Sequence, residues 1–328
     1  MERDAPTGAV ADGGKIFVRS PLFCIFISMS IPYLGEICAL ATACLWSCSS
    51  IAFASATKRI GSVNVNITRL IMAAVGLSAI ILLGGISISV SSRQIFYLAI
   101  SGILGLTLGD SFLFQAFRMI GARITMLIMS LSPAIAALLA YFILGEELSL
   151  TGIIGIVITL AGIVIVVLDS PETSEASHHG PITPAGLLFA FLGAVGQGSG
   201  LVVAKIAFSE APINGFLATV IRIVSSLVLL IPIALIAGHY RAPIKTFRED
   251  MHSFRLTALG AVLAPILGIS LSLVAIQHAH VGIAATLMSI VPILMLPLVH
   301  FIYKDPFRWK AIVGAVITVG GVAVLFLH

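Results

Sequence analysis

Four charged side chains interrupt apolar stretches of this chain: Arg69, Asp110, Lys205 and Arg222. A charge inside a membrane is costly, so such residues commonly pair with one another or line a pathway for ions or solutes. Arg69 and Asp110 are predicted to lie near the same end of neighbouring helices, where an ion pair would lower the cost of burying both. Asp110 is therefore a candidate for proton or substrate coupling. A fixed charge pair that braces two helices is the alternative.

Uncharged polar residues supply a second group of candidates. They are Trp46, Gln115, Gln197 and Gln277, and Arg222 joins them as the repeat-related partner of Arg69. A solute cavity needs a few donors and acceptors among apolar walls, which these side chains can supply. Taken singly, each uncharged residue is better explained by a hydrogen bond between two helices.

Composition identifies the environment of these residues. Of the 328 residues 59% are hydrophobic and only 10% are charged, and the mean hydropathy is +1.14. Soluble domains carry about 25% charged residues, so the chain is predicted to be an integral membrane protein in contact with lipid. The basic pI of about 9.0 comes from bases in short loops, which indicate membrane topology rather than a nucleic-acid partner.

Ten stretches are long and apolar enough to be spanning helices, which need about 20 residues each. They are residues 35–57, 65–86, 95–117, 121–144, 149–168, 184–206, 214–237, 255–277, 281–303 and 308–327. The short connections between them require neighbouring helices to run antiparallel.

The second half of the chain repeats the first. Residues 108–168 align without a gap on residues 267–327, and the coincident residues include glycines, serines, threonines and prolines. Pro133 and Pro292 form one such pair and are predicted to stand within equivalent spans. A proline there removes a backbone hydrogen bond and produces a kink, so the pair are hinge candidates or, alternatively, static bends.

The repeat divides the chain into four parts. Residues 1–32 are predicted to be a flexible or interfacial extension, 33–168 the first repeat, 169–183 a linker rich in acids and turn formers, and 184–328 the second repeat. Met29 is an alternative start. Five helices in each repeat imply that the two halves enter the membrane in opposite orientations, which is a common design among transporters.

Loop charges agree with that inversion. Most bases fall in the connections between spans 1–2, 3–4, 7–8 and 9–10, all on one side of a ten-helix protein, whereas the other side has Arg93 and Lys205 beside those of the extension. The positive-inside rule then predicts that the basic side is cytoplasmic and that both termini lie outside.

Several motifs resemble the EamA-like branch of the drug/metabolite transporter superfamily. They are the Trp46 region, Arg69 at the start of the second span, and the run SLSPAIAALLAYFILGEELS with its later copy SIVPILMLPLVHFIYKDPFRW. The chain departs from the family at Trp46-Ser47, where Trp-Gly is usual, and at Gly196, where the second tryptophan is replaced. The resemblance implies a carrier of amino acids, metabolites or drugs, commonly outward, with both termini in the cytosol, which conflicts with the loop charges.

The residues and the resemblance together predict an all-α polytopic membrane protein with ten transmembrane helices as two inverted five-helix repeats. The expected function is secondary transport of a small organic solute, by export and alternating access, in the plasma or inner membrane, with protons as a candidate coupling ion. A non-transporting sensor or scaffold that reuses the fold is the alternative.

An enzyme is disfavoured because Asp110 has no second deep carboxylate to act with it. Cys44 and Cys48 lie one helical turn apart, but no His or carboxylate near them completes a metal site. No metal or other cofactor is expected, and a monomer and a homodimer both remain open.

Overall fold

The computed structural model describes residues 33–86, 88–168, 182–211, 213–240, 242–278, 281–303 and 309–326, with the backbone alone for residue 326 and several residues of 273–286. These residues form helices and short connections, with no strand among them. The predicted extension 1–32 and most of the predicted linker 169–183 lie outside the described residues.

The first half consists of seven helical segments joined by short connections. They are α1 (Leu34–Ile60), α2 (Ser62–Leu83), α3 (Ser92–Gly102), the π-helix π1 (Ile103–Gly109), α4 (Asp110–Met129), α5 (Ser132–Leu144) and α6 (Leu150–Leu168).

The second half has the same succession with one additional short helix and with the counterpart of α4 divided into two helices. Its segments are α7 (Pro184–Glu210), α8 (Gly215–Ile236), the short α9 (Pro243–Glu249), α10 (Met251–Ala261), the π-helix π2 (Val262–Gly268), α11 (Ile269–His278), α12 (Val281–Met288), α13 (Val291–Tyr303) and α14 (Trp309–Phe326). The additional helix is α9, and α11 and α12 together correspond to α4.

Many helices present large apolar side chains outward. Within the described residues, seven helices are long and apolar enough to cross a bilayer, and three shorter apolar helices accompany them. Leu82, Leu83 and Val228 are 74%, 86% and 69% exposed, a surface that water would disfavour and lipid would accept. The chain is therefore a multi-pass membrane protein.

The two π-helices occupy equivalent positions in the two halves, 159 residues apart at both ends. A π-helix is wider than an α-helix and is uncommon outside functional sites. The second contains Pro265, which lacks a backbone N–H and cannot complete the α-helical pattern. Both π-helices lie inside predicted continuous spans, and the sequence analysis did not anticipate them.

Two predicted spans are broken rather than continuous. Residues 121–144 are interrupted by a turn at Ser130 and Leu131, and 281–303 by an equivalent turn at residues 289–290. Pro133 and Pro292 consequently lie in the first turn of α5 and α13, where the missing N–H costs little. The prediction placed a kink at each proline within a span; in the structure the chain turns just before each proline, which then lies at the start of the next helix.

A further break sits within α4. Gly121 has φ 75° and ψ 173°, a non-helical conformation that divides the segment Asp110–Met129 into two helical pieces. Glycine accepts this backbone without the steric penalty of a Cβ atom. The break coincides with the predicted boundary between the third and fourth spans.

Helices α6 and α14, the last of each half, cross in close contact. A Cβ atom on Gly162 would lie 2.5 Å from the backbone nitrogen of Thr318, and one on Gly155 would lie 2.7 Å from the carbonyl oxygen of Gly321. Gly162 and Gly321 are equivalent residues of the two repeats, so the crossing is nearly symmetric. Small residues allow such close backbone approach, which drives helix association in lipid.

Ion pairs at helix ends show which connections share a side. Arg59 at the end of α1 contacts Asp250 at the start of α10, with 2.6 Å between Nε and Oδ2. At the opposite ends of the helices, Lys205 pairs with Glu146 at 2.6 Å and Arg93 with Glu210 at 3.3 Å. The Arg59–Asp250 pair lies where the loop charges predicted a basic side.

Candidate functional site

The predicted ion pair between Arg69 and Asp110 is present. Arg69 Nη2 donates to Asp110 Oδ2, and the two side chains are 10% and 4% exposed. Arg69 comes from α2, and Asp110 is the first residue of α4, directly after π1. A charge pair shielded this well from solvent is tightly coupled, since removing either partner would leave the other charge buried without compensation.

A short ladder of polar contacts continues from this pair along α2 and α4. Asn66 Nδ2 lies 3.5 Å from Ser111 Oγ, and Ser62 Oγ donates to Gln115 Oε1 at 3.1 Å. The predicted candidate Gln115 therefore belongs to the contact between two helices, at the end of the ladder away from Asp110.

The Arg69 guanidinium is held on several sides. Its Nε donates to Asn66 Oδ1 at 3.2 Å, and its central carbon lies 4.7 Å from the centre of the Phe114 ring and 5.7 Å from that of Phe53. Aromatic faces stabilise a desolvated guanidinium. Arg69 is thus a fixed cation whose donors are engaged within its own half.

The second carboxylate oxygen of Asp110 binds a residue of the other half of the chain. Gln197 Nε2 donates to Asp110 Oδ1 at 2.6 Å. Gln197 can come this close because α7 and π1 meet at glycines: a Cβ on Gly196 would lie 2.5 Å from the Cα of Gly109. The glycine-rich run around Gln197 serves close helix packing, as the sequence analysis favoured.

Helix π1 sets the position of Asp110. The backbone N–H of Asp110 donates to the carbonyl oxygen of Gly105, five residues earlier. Gln197 Nε2 also lies 3.3 Å from this carbonyl oxygen. Because each residue turns an α-helix by about 100°, a π-turn redirects the side chains that follow it.

Arg222 completes the cluster from α8. A Cβ atom on Gly105 would lie 3.1 Å from Arg222 Nη2 and 3.7 Å from Gln197 Oε1. The backbone of Arg222 is pressed against Gly102, whose missing side chain makes room for it. Arg222 Nε is buried and has no hydrogen-bond partner among the described residues.

The structure thus brings together four of the predicted candidates, namely Arg69, Asp110, Gln197 and Arg222. Trp46 belongs to α1 and packs against π2, away from this cluster: a Cβ on Gly268 would be 2.5 Å from its indole nitrogen. Gln277 belongs to α11, but its side chain is outside the described part of the structure. The hinge candidates Pro133 and Pro292 follow the turns before α5 and α13.

Sequence reasoning missed the glycine at the centre of the site. Gly105 supplies a carbonyl acceptor and allows the close approach of Arg222 Nη2, and Gly102 admits the backbone of α8. The spacing of Gly102, Gly105 and Gly109 along one helix face was a signal for a close approach. Nothing comparable in the sequence indicated the π-helix itself.

These features define a class: a multi-pass helical membrane protein with two related halves and a charged cluster buried between them. The model of the EamA-like transporter family matches residues 33–168 and 184–327, and the chain belongs to this family. Its members are transporters, in agreement with the expectation that the chain is not an enzyme.

Comparison with individual proteins adds the fold alone. One crystal structure shares 19% identity, covering 89% of this chain and 96% of its own, with a TM-score of 0.56. No curated protein sequence matches the chain.

Proposed function

We propose that this protein is a secondary transporter that exports a small organic solute by alternating access. The observation that carries the proposal is a cluster around the buried Arg69–Asp110 pair, to which the second half contributes Gln197 and Arg222. Transporters of repeated design bind their substrates between the repeats. Membership of a transporter family supports the same reading of the cluster.

The architecture proposed for this function has ten crossings as two inverted repeats, 33–168 and 184–328, joined by the linker 169–183. Support comes from the equivalent π-helices, the equivalent turns before α5 and α13, and the near-symmetric crossing of α6 and α14. The break at Gly121 supports an end of the third crossing there, with the fourth crossing continuing from Gly121 through α5. Without the break, the segment Ser92–Met129 would far exceed a bilayer of about 30 Å at 1.5 Å per residue.

Alternating access needs places where one half can move against the other. We propose that the paired turns preceding Pro133 and Pro292 serve as hinges, because each turn interrupts the helical hydrogen bonds at a matching position. Trp46 and Gln277 stay candidate cavity residues, and Gln115 a candidate through the polar ladder.

Asp110 is the proposed coupling residue. Its carboxylate binds Arg69 from its own half and Gln197 from the other half, so a change in its charge would alter contacts on both sides of the interface. Protonation of a buried carboxylate is a common means of coupling transport to a proton gradient.

The test is solute efflux from proteoliposomes under an imposed pH gradient. Vesicles containing the purified protein would be loaded in turn with radiolabelled amino acids, nucleosides, sugars and cationic drugs. We expect one class to leave faster than from protein-free vesicles. Asp110→Asn is expected to lose the response to the pH gradient, whereas Arg93→Gln, a charge removal at an exposed ion pair, keeps it.

Two results would change the proposal. An unchanged pH response in Asp110→Asn would refute proton coupling through this residue. The absence of accelerated efflux for every class would favour the alternative, a membrane sensor or scaffold. Residence in the plasma or inner membrane is part of the proposal and is tested by membrane fractionation.

A further inference from the structure

Arg222 differs from its repeat partner Arg69 in having no acid bound to it. Arg69 is engaged by Asp110, Asn66 and the ring of Phe114. The Nε of Arg222 is buried without a hydrogen-bond partner among the described residues, and Asp110 attracts Arg222 electrostatically without binding it. An unsatisfied donor in such a place is destabilising, and more so for a charged group. Its retention calls for an acceptor that arrives from outside the chain.

Arg222 cannot relieve this cost by reaching the headgroups. It lies seven residues beyond Gly215, the first residue of α8, and so about 10 Å inside the helix. Its backbone is fixed against Gly102 of α3, because even a methyl group at that glycine would clash with the carbonyl of Arg222. The guanidinium is therefore held toward π1 rather than toward the membrane surface.

The charges of the cluster do not balance. Arg69 and Arg222 contribute two positive charges, and Asp110 contributes one negative charge. Asp110 already gives one oxygen to Arg69 and the other to Gln197, so the positive charge of Arg222 is the one in excess. A ligand with a single negative charge would neutralise the site.

Gly105 places no side chain over the Arg222 guanidinium. The missing side chain of Gly105 faces Arg222 Nη2 at 3.1 Å and Gln197 Oε1 at 3.7 Å, measured from the position a Cβ would take. A carboxylate is planar, and its two oxygens match the parallel N–H groups of a guanidinium. A phosphate monoester carries about −1.5 to −2 charge at pH 7 and would overcompensate the site.

We infer that Arg222 is the binding residue for the carboxylate of a monoanionic organic substrate, held at its guanidinium. This inference rests on the proposed transport function and names the substrate class for it. Asp110 and Arg69 then form the fixed part of the site, and Arg222 the part whose hydrogen bonds are completed by the substrate.

The test compares four probes that share one benzene ring and differ in charge. They are phenylacetamide, phenylacetate, phenylmalonate and phenethylammonium, the ring being chosen because Phe53 and Phe114 line the cluster at Arg69. Binding to the purified protein in detergent would be measured at pH 7.5 by equilibrium dialysis. We expect phenylacetate to bind at least about tenfold more tightly than each of the other three.

Variants connect this preference to Arg222. Arg222→Gln is expected to abolish it, and Arg222→Lys, which keeps the charge without the fork, to reduce it. Arg93→Gln removes an exposed charge outside the cluster and is expected to retain it. If Arg222→Gln does not fold, the charge series on the wild-type protein and Arg222→Lys still decide the matter.

Equal or weaker binding of phenylacetate than of the neutral or cationic probe would overturn the inference, as would no detectable binding of phenylacetate. Retention of the full preference in Arg222→Gln would also overturn it. The protein could also export a neutral or cationic solute at a rate that Arg222→Gln leaves unchanged. That result would refute this inference and leave the transport proposal intact. The two hypotheses therefore fail by different measurements.

Discussion

Asp110→Asn alone should destabilise the protein far more, relative to the charges removed, than Asp110→Asn combined with Arg69→Gln. Asp110→Asn leaves the guanidiniums of Arg69 and Arg222 in one buried cluster without an anion, and Arg69→Gln leaves Asp110 with only the amide of Gln197. Breaking a buried pair from one side costs about 3–5 kcal/mol because the remaining charge is uncompensated. The double variant Arg69→Gln/Asp110→Asn has no unpaired charge at that position.

We therefore expect a double-mutant cycle to give a coupling energy of about 2–3 kcal/mol between these two residues. Unfolding free energies would be measured by titration of dodecyl sulfate into maltoside micelles. The matched control is the exposed pair Arg93–Glu210, whose Arg93 side chain is 72% exposed and whose coupling should not exceed about 1 kcal/mol.

The comparison of the two coupling energies tests whether Arg69 and Asp110 interact more strongly than an exposed ion pair. Additive single effects at Arg69 and Asp110, or a coupling no larger than that of Arg93–Glu210, would refute the view that these side chains form one tightly coupled buried pair. Arg222 would then have to be reconsidered as the nearer counterion of Asp110.

Three further predictions follow from glycines and from one ion pair. Gly162→Val should destabilise the protein by about 1–3 kcal/mol or more, because the new side chain meets a backbone that cannot yield; Gly320→Val, where a Cβ meets nothing within 4 Å, should not, and equal melting temperatures would contradict this. Gly105→Ala should weaken phenylacetate binding several-fold, since its Cβ would lie 3.1 Å from Arg222 Nη2 and displace the guanidinium, and undiminished affinity by dialysis would count against binding at Arg222. The hydrogen bond from Arg59 and the N–H of Ser253 hold the pKa of Asp250 well below its ordinary value. The stabilisation by Asp250 is therefore present above about pH 4 and is lost as the pH falls further, so the melting-temperature gap between wild type and Asp250→Asn should narrow in acid; a gap independent of pH would refute the sign.

Sequence alone determined the environment and the repeat. A chain with 10% charged residues cannot cover its surface for water, and coincident glycines and prolines at a fixed offset record a duplicated fold. The pairing of Arg69 with Asp110 was also predicted from the sequence, because both lie near the same end of neighbouring spans and an ion pair lowers the cost of burying them.

Helix continuity could not be determined in the same way. Residues 121–144 and 281–303 are predominantly apolar on both sides of the turn, so hydropathy gives no sign that each turns just before Pro133 and Pro292. In lipid the hydrophobic pattern reports burial in the bilayer and not the local backbone, and the turns are stabilised by packing against other helices. The π-helices could not be predicted from hydropathy for the same reason.

The membership of the cluster was decided by the tertiary structure. Gln197 lies 87 residues from Asp110 and reaches it only because Gly196 and Gly109 let two helices touch. Arg222 stands beside the same site without an acid of its own, although its type and position in the repeat resemble those of Arg69. A sequence can show which residues are charged and apolar, but which of them meet depends on how closely the backbones approach, and here glycines on different helices set that distance.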